Sequence, residues 1–182
     1  DQASDREYDS EAAHAPEDRR EDAGTDHEDH AQLRVQPGAG PAGLAAALAA
    51  GRAGKRVFLV DEDIRPGGRL LAERHEIAGD DAGAWVNATV AELASLANVR
   101  ILPRTIMFGA YDGSTYGAVE QGRTLWKIVA ERALLATGAI ERPLVFAGND
   151  IPGVMTASAV QAYANRWSVA PGQRIAIFTT SD

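Results

Sequence analysis

Val35-Gln36-Pro37-Gly38-Ala39-Gly40-Pro41-Ala42-Gly43-Leu44 is the stretch on which the reading of the fold turns. Gly38, Gly40 and Gly43 have the G-x-G-x-x-G spacing. In that motif the first glycine permits a tight strand-to-helix turn, and the second lets a pyrophosphate approach the backbone. The third lets the helix pack close to the sheet, while the helix N-terminus offers N–H groups and a positive dipole end. In a chain with 18 glycines the same spacing also arises in ordinary loops, so the flanking residues must decide.

Those flanks have the right order. Residues 33–36 read as a short strand entering the turn. Residues 41–53 read as a helix with Leu44 and Leu48 one turn apart and small residues elsewhere on the packed side. Pro41 suits the first helical turn, and Gly54 suits the position just past the end. Arg56-Val57-Phe58-Leu59-Val60 is an apolar run of strand length, as expected of a buried parallel strand. Together they make a β–α–β unit. Asp61-Glu62-Asp63 comes next, with Asp61 18 residues beyond Gly43. An acid here accepts hydrogen bonds from an adenosine ribose and disfavours a 2′-phosphate; a solvated loop after a strand is the plain alternative. Arg34, Gln36 and Pro37 are unusual for a central strand: the two polar side chains need partners, and proline lacks a ladder N–H.

Further on, Arg65-Pro66-Gly67-Gly68-Arg69 reads as a turn, either a plain one or one whose N–H groups and Arg69 face a phosphate. A helix is expected over 84–97, with Val86, Val90, Leu93 and Ala97 on one face, and a short parallel strand over 99–102. Three strands are expected after it, at 105–111, 115–120 and 124–130, forming an antiparallel meander that crosses back to the parallel sheet. Residues 132–135 form a fifth apolar run ending in Ala136-Thr137-Gly138, small residues at the end of a parallel strand where ligands approach. Residues 146–153 read as a loop. Thr156 or Ser158 caps a helix with Val160, Tyr163, Ala164 and Trp167 on one face, and residues 174–180 read as a further strand.

Bulk composition narrows the classes. Residues 1–30 hold 12 acidic and 3 basic side chains and no Val, Ile, Leu, Met, Phe or Trp, so they read as a disordered acidic tail. Residues 31–182 hold 14 acidic and 15 basic side chains, so the net charge of −8 belongs to the tail. No basic patch interleaved with aromatics suggests nucleic acid, no apolar run spans a bilayer, and nothing reads as a signal peptide. His14, His27 and His30 lie among acids at no spacing that makes a metal site, and His75 is the only other histidine. The absence of cysteine excludes disulfides and thiol chemistry and fits a cytoplasmic setting.

The glycine motif, Asp61-Glu62-Asp63, Pro66-Gly67-Gly68-Arg69-Leu70-Leu71 and Ala136-Thr137-Gly138 together resemble flavoproteins of the disulfide-reductase type, which have two dinucleotide-binding domains. Three further blocks are narrower: Phe108-Gly109-Ala110-Tyr111-Asp112-Gly113-Ser114-Thr115-Tyr116-Gly117, Ala139-Ile140-Glu141-Arg142-Pro143 after Gly138, and Gly148-Asn149-Asp150-Ile151-Pro152-Gly153-Val154-Met155. They resemble the alpha subunits of heterotetrameric sarcosine oxidases, with opine oxidase and hydrogen cyanide synthase subunits as looser relatives.

The resemblance implies an α/β fold of the FAD/NAD(P)-binding type: a Rossmann-like, doubly wound parallel sheet with a three-stranded antiparallel β-meander. The domain would occupy 31–150, with 151–182 leading into a second nucleotide-binding region. It implies part of an oxidoreductase acting on sarcosine or a related secondary amine, alongside beta, gamma and delta subunits, with NAD as cofactor and FAD as the alternative. The expected cofactor contacts are Gly38, Ala39, Gly40, Pro41, Ala42 and Gly43 at the pyrophosphate and Asp61 or Glu62 at the ribose. Gly67, Gly68 and Arg69 would close over the cofactor, Ala136, Thr137 and Gly138 would flank it, and Met107 would lie near the adenine. No catalytic acid, base or nucleophile stands out. An FAD-binding domain of another such oxidoreductase, or a non-catalytic docking fragment, are the alternatives.

Overall fold

The computed structural model describes residues 33–77 and 79–179. The acidic tail and Thr180 lie outside them. Strands β1 (Leu33–Pro37), β2 (Arg56–Val60), β5 (Val99–Leu102) and β9 (Arg132–Ala133) form one parallel sheet in the order β5-β2-β1-β9. Helices α1 (Pro41–Arg52) and α2 (Ala82–Ser95) cover one face. Strands β6 (Thr105–Tyr111), β7 (Thr115–Glu120) and β8 (Thr124–Val129) make the antiparallel meander that covers the other.

Alternation along β2 explains the three layers. Val57 and Leu59 point to the helices, where they join Leu44, Ala47, Val86 and Leu93. Phe58 and Val60 point to the meander, with Val35, Leu102, Ala118 and Ile128. Period-two side chains in a strand buried on both faces give an unbroken apolar run, as Val57 to Val60 show. Leu44, Leu59 and Leu93 are fully buried, each stabilising the fold by about 1.5–3 kcal/mol.

The turns obey local rules. α1 ends with Gly54 N–H donating to the Gly51 carbonyl at 2.9 Å and Lys55 N–H to that of Ala50 at 3.0 Å, the paired bonds of a Schellman ending. Asn98 Nδ2 donates to the carbonyls of Gly51 and Lys55 at 2.9 and 2.7 Å, fastening that turn to the start of β5. α2 begins two residues earlier than its apolar face suggests, because Asp81 caps it through the Ala84 N–H at 3.1 Å. It also ends earlier, at Ser95, leaving Ala97 exposed beyond it. A two-residue ladder of β3 (Glu76–Ile77) with β4 (Asp80–Asp81) precedes the helix, too short for any periodicity to signal it.

Arg34 and Pro37, two of the unusual residues of β1, find places. Arg34 faces Glu131, nitrogen to oxygen 3.4 Å. Pro37 is the last ladder residue, and its carbonyl accepts the Ala136 N–H at 2.9 Å, so its missing donor falls where the strand ends.

Two expectations for the C-terminal stretch need correction. Residues 174–179 form no strand, because no strand among the described residues runs beside them to complete a ladder. The single helix expected after Thr156 is a short α3 (Ala157–Gln161) continued by a π turn (Ala162–Arg166). Its expected apolar face is not buried: Tyr163 and Trp167 are 46% and 57% exposed. Nor do Thr156 and Ser158 cap it through their own side chains. The Glu141 carboxylate takes the Ser158 N–H at 2.9 Å and hydroxyl at 2.5 Å.

Candidate functional site

In an open parallel sheet, ligands bind beyond the carboxyl ends of the strands where the strand order reverses. Here that point lies between β1 and β9, and the segments leaving those two strands meet there. A Cβ on Gly38 would stand 2.1 Å from the Ala136 carbonyl oxygen, and one on Gly43 would stand 1.7 Å from that of Gly38. Gly38 also has φ +99°, so both residues are glycine because the turn itself admits nothing larger.

Gly40 is different. It caps α1 with φ −72° and ψ −175°, backbone any residue adopts. A Cβ there would find only the Gly68 Cα, at an ordinary 4.0 Å. The fold therefore does not require a glycine at 40. In the G-x-G-x-x-G motif the second glycine is the one that lets a ligand approach the backbone.

Three elements converge on this turn. The Gly38 N–H donates to the Val60 carbonyl at 2.8 Å. The Ala39 N–H donates to one carboxylate oxygen of Asp61, and the Asp63 N–H donates to the other at 2.7 Å. Gly67 sends its N–H to the Ala39 carbonyl at 2.7 Å, while a Cβ on Gly68 would come within 2.8 Å of the Gly40 Cα. The second glycine pair thus braces the first turn, and the Gly67 N–H is already spent on it. From below, the Arg104 and Thr105 N–H groups donate to the carbonyls of Asp63 and Asp61 at 2.9 and 2.8 Å.

Each remaining expected residue has a defined place. Pro41 and Ala42 open α1, whose first turn has no intrahelical acceptors for its N–H groups. Glu62 is exposed beside Asp61. Arg69 is exposed and pairs with Glu73, which also meets His75 at 3.3 Å. Thr137 and Gly138 are exposed beyond Ala136. Met107 stands apart, half-buried on β6 against the Val35, Val60 and Leu102 cluster.

Sequence reading missed Arg166. Its guanidinium donates to both carboxylate oxygens of Asp63 at 2.8 and 2.7 Å. This pairing holds the Asp63 carboxyl below its ordinary pKa, its hydrogen bonds to Arg166 outweighing the opposing effect of partial burial. No motif flags a partner 103 residues away. The only available signal was an arginine on the helix expected to lead out of the domain.

A hollow at the opposite, amino end of the sheet is lined by Arg56, Phe58, Asn98 and Arg100, away from all of these groups. Among the described residues no group of three or more His, Cys, Asp or Glu could hold a metal ion. No helix among them is long and apolar enough to cross a membrane.

Comparison with known proteins agrees with this geometry. The chain is 56% identical over 158 residues to a sarcosine oxidase subunit alpha from Rhizobium meliloti (strain 1021), covering 80% of this chain and 16% of the relative. It is 45% identical over 160 residues to the corresponding subunit from Corynebacterium sp. (strain P-1), with the same shares of each chain. The chain thus spans about a sixth of the length of these relatives. Among solved structures, L-proline dehydrogenase from P. horikoshii superposes with a TM-score of 0.69 at 32% identity, over 78% of this chain and 30% of that one. Residues 24–132, which hold the glycine turn, β2 and the meander, match the model of the FAD dependent oxidoreductases. The chain is therefore a partial FAD/NAD(P)-binding domain related to sarcosine-oxidase-type alpha subunits, and it belongs to the FAD dependent oxidoreductase family.

Proposed function

We propose that this chain is the dinucleotide-binding part of a sarcosine oxidase alpha-like subunit, and that the glycine turn holds NAD. Gly40 carries the reading: a residue without a side chain where the fold leaves room for one, at the head of a helix and beside an acid that ends β2. The pyrophosphate would lie over Gly38 to Gly43, drawn by the α1 terminus. Asp61 accepts one N–H at each oxygen, and a carboxylate has lone pairs left for ribose hydroxyls. Ala136 to Gly138 would flank the cofactor. Residues 31–150 would form the binding unit, and 151–182 would lead into a second nucleotide-binding region.

A nicotinamide or flavin ring, once bound, supplies the hydride-accepting chemistry; these residues bind and orient it. Similarity to the sarcosine oxidase alpha subunits supports an oxidoreductase for sarcosine or a related secondary amine. It likewise supports beta, gamma and delta partner subunits. A cytoplasmic setting fits a chain without cysteine. FAD is the second reading, favoured by the family model.

The test is to purify the full chain, record its visible spectrum, denature it and identify any released nucleotide, then titrate NAD and FAD calorimetrically. NAD release, or saturable NAD binding without flavin absorbance, is expected. Flavin absorbance with released FAD contradicts the NAD assignment. No binding of either contradicts the dinucleotide reading.

A further inference from the structure

Two consecutive residues at the end of the C-terminal helical segment reach back to both ends of one loop. That loop, residues 61–72, carries the acids after β2 and the Gly67-Gly68 pair. At its start, Arg166 grips the Asp63 carboxylate with two parallel hydrogen bonds. At its end, Asn165 Nδ2 donates to the Ala72 carbonyl at 2.7 Å. Both lie in the π turn closed by the Trp167 N–H on the Ala162 carbonyl at 3.2 Å, a geometry that is rare in helices and concentrates at functional positions.

The gripped loop is the one that braces the glycine turn. Asp61 holds the Ala39 N–H and the Asp63 N–H on its two oxygens, so Asp63 and the turn share one carboxylate as an anchor. Arg166 is well placed to set that anchor: only 17% of its side chain is exposed, and its guanidinium lies 4.7 Å from the centre of the Trp167 ring. A planar fork held on both carboxylate oxygens fixes orientation as well as distance. It also cancels one of three adjacent negative charges at the place a pyrophosphate must approach.

We propose that Arg166 is a positioning residue for the dinucleotide: by holding Asp63 it keeps Asp61 on the Ala39 N–H and so fixes the glycine turn in its binding geometry. The proposal rests on the dinucleotide reading above. It differs from a fastening role, in which Arg166 merely tethers the C-terminal segment to the domain.

The test compares the full-length chain with Arg166→Gln, Arg166→Lys and the charge-swapped Asp63→Arg/Arg166→Asp variant. The readouts are amide hydrogen exchange at Ala39 without ligand, calorimetric titration with NAD, FAD and ADP-ribose, and thermal unfolding. For Arg166→Gln, Ala39 exchange and the Kd of each ligand that binds the wild type should both rise about tenfold, within the usual range of coupling between sites. Arg166→Lys, which keeps the charge but loses the fork, should fall between, and the swapped pair should recover most of both losses. An Arg166→Gln or Arg166→Lys chain that melts earlier yet binds as tightly as the wild type makes the residue a fastener and overturns the proposal alone. Failure of the wild type to bind any of the three ligands overturns the dinucleotide reading and this proposal with it.

Discussion

Residues 33–130 and residues 134–179 hold similar apolar side chains and treat them in opposite ways. In the first region Leu44, Leu59 and Leu93 have no exposed surface; in the second, Ile140, Val145 and Ile177 are 98%, 94% and 87% exposed. Apolar character alone does not bury a residue. The first region closes three layers on itself, helices over sheet over meander, so β2 at its centre is covered on both faces. The second has no layer to pack against among the described residues and is held by polar ties: Arg166 to Asp63, Asn165 to Ala72 and Ser158 to Glu141. Stability should therefore reside in apolar contacts on one side of the boundary and in hydrogen bonds on the other.

That difference can be tested by substitution. Leu59→Ala removes a side chain buried in the helix layer and should lower unfolding free energy by about 2–5 kcal/mol in urea titrations. A loss below about 1 kcal/mol would mean that the core packs less tightly than the fold implies. Asp63→Asn should cost about 1–2 kcal/mol at neutral pH, since it leaves half of an ionic fork.

The pH dependence of the Asp63 effect has a definite sign. The native Asp63 carboxyl titrates below its ordinary value, chiefly through its hydrogen bonds to Arg166. Its contribution is therefore complete above the unfolded carboxyl pKa of about 4 and is lost as pH falls through the lower native value. The stability gap between wild type and Asp63→Asn should close progressively below about pH 4 and stay constant above about pH 6. A gap that instead narrowed toward alkaline pH would place the tie elsewhere. Ile177→Ser should change stability least, within about 0.5 kcal/mol. A larger loss would show that the second region is packed after all.

How much was legible in the sequence divides along the same boundary. The strands, helices and meander of the first region were readable because Val57 to Val60, Leu44 with Leu48, and the runs from Thr105 onward carry periodicities that their packing uses. In the second region, Ile175, Ile177 and Phe178 have a strand's composition, but a strand exists only where another chain segment completes its hydrogen bonds. The block from Phe108 to Gly117, which carried much of the family resemblance, forms the β6–β7 hairpin of the meander. Phe108 lies over Gly117, where a Cβ would come within 2.6 Å of its ring. Within the site, Gly38, Gly40, Gly43 and Asp61 were nameable from spacing and Ala136 from its place at the end of a strand, and they come together. The long-range ties were not: that Gly67 spends its N–H on Ala39, and that Arg166 grips Asp63, depends on tertiary approach that no local pattern encodes.

Gly38 and Gly43 are required by the fold, whereas the proposed function assigns Gly40 to a ligand. Gly40→Val and Gly43→Ala, each compared with the wild type for thermal unfolding and for calorimetric binding of NAD and FAD, test this difference directly. Gly40→Val should melt within a few degrees of the wild type and lose dinucleotide binding by at least about tenfold, because its side chain fills the approach to the backbone. Gly43→Ala should lose stability and binding together, since its Cβ would strike the Gly38 carbonyl. Unchanged binding in Gly40→Val would contradict the account.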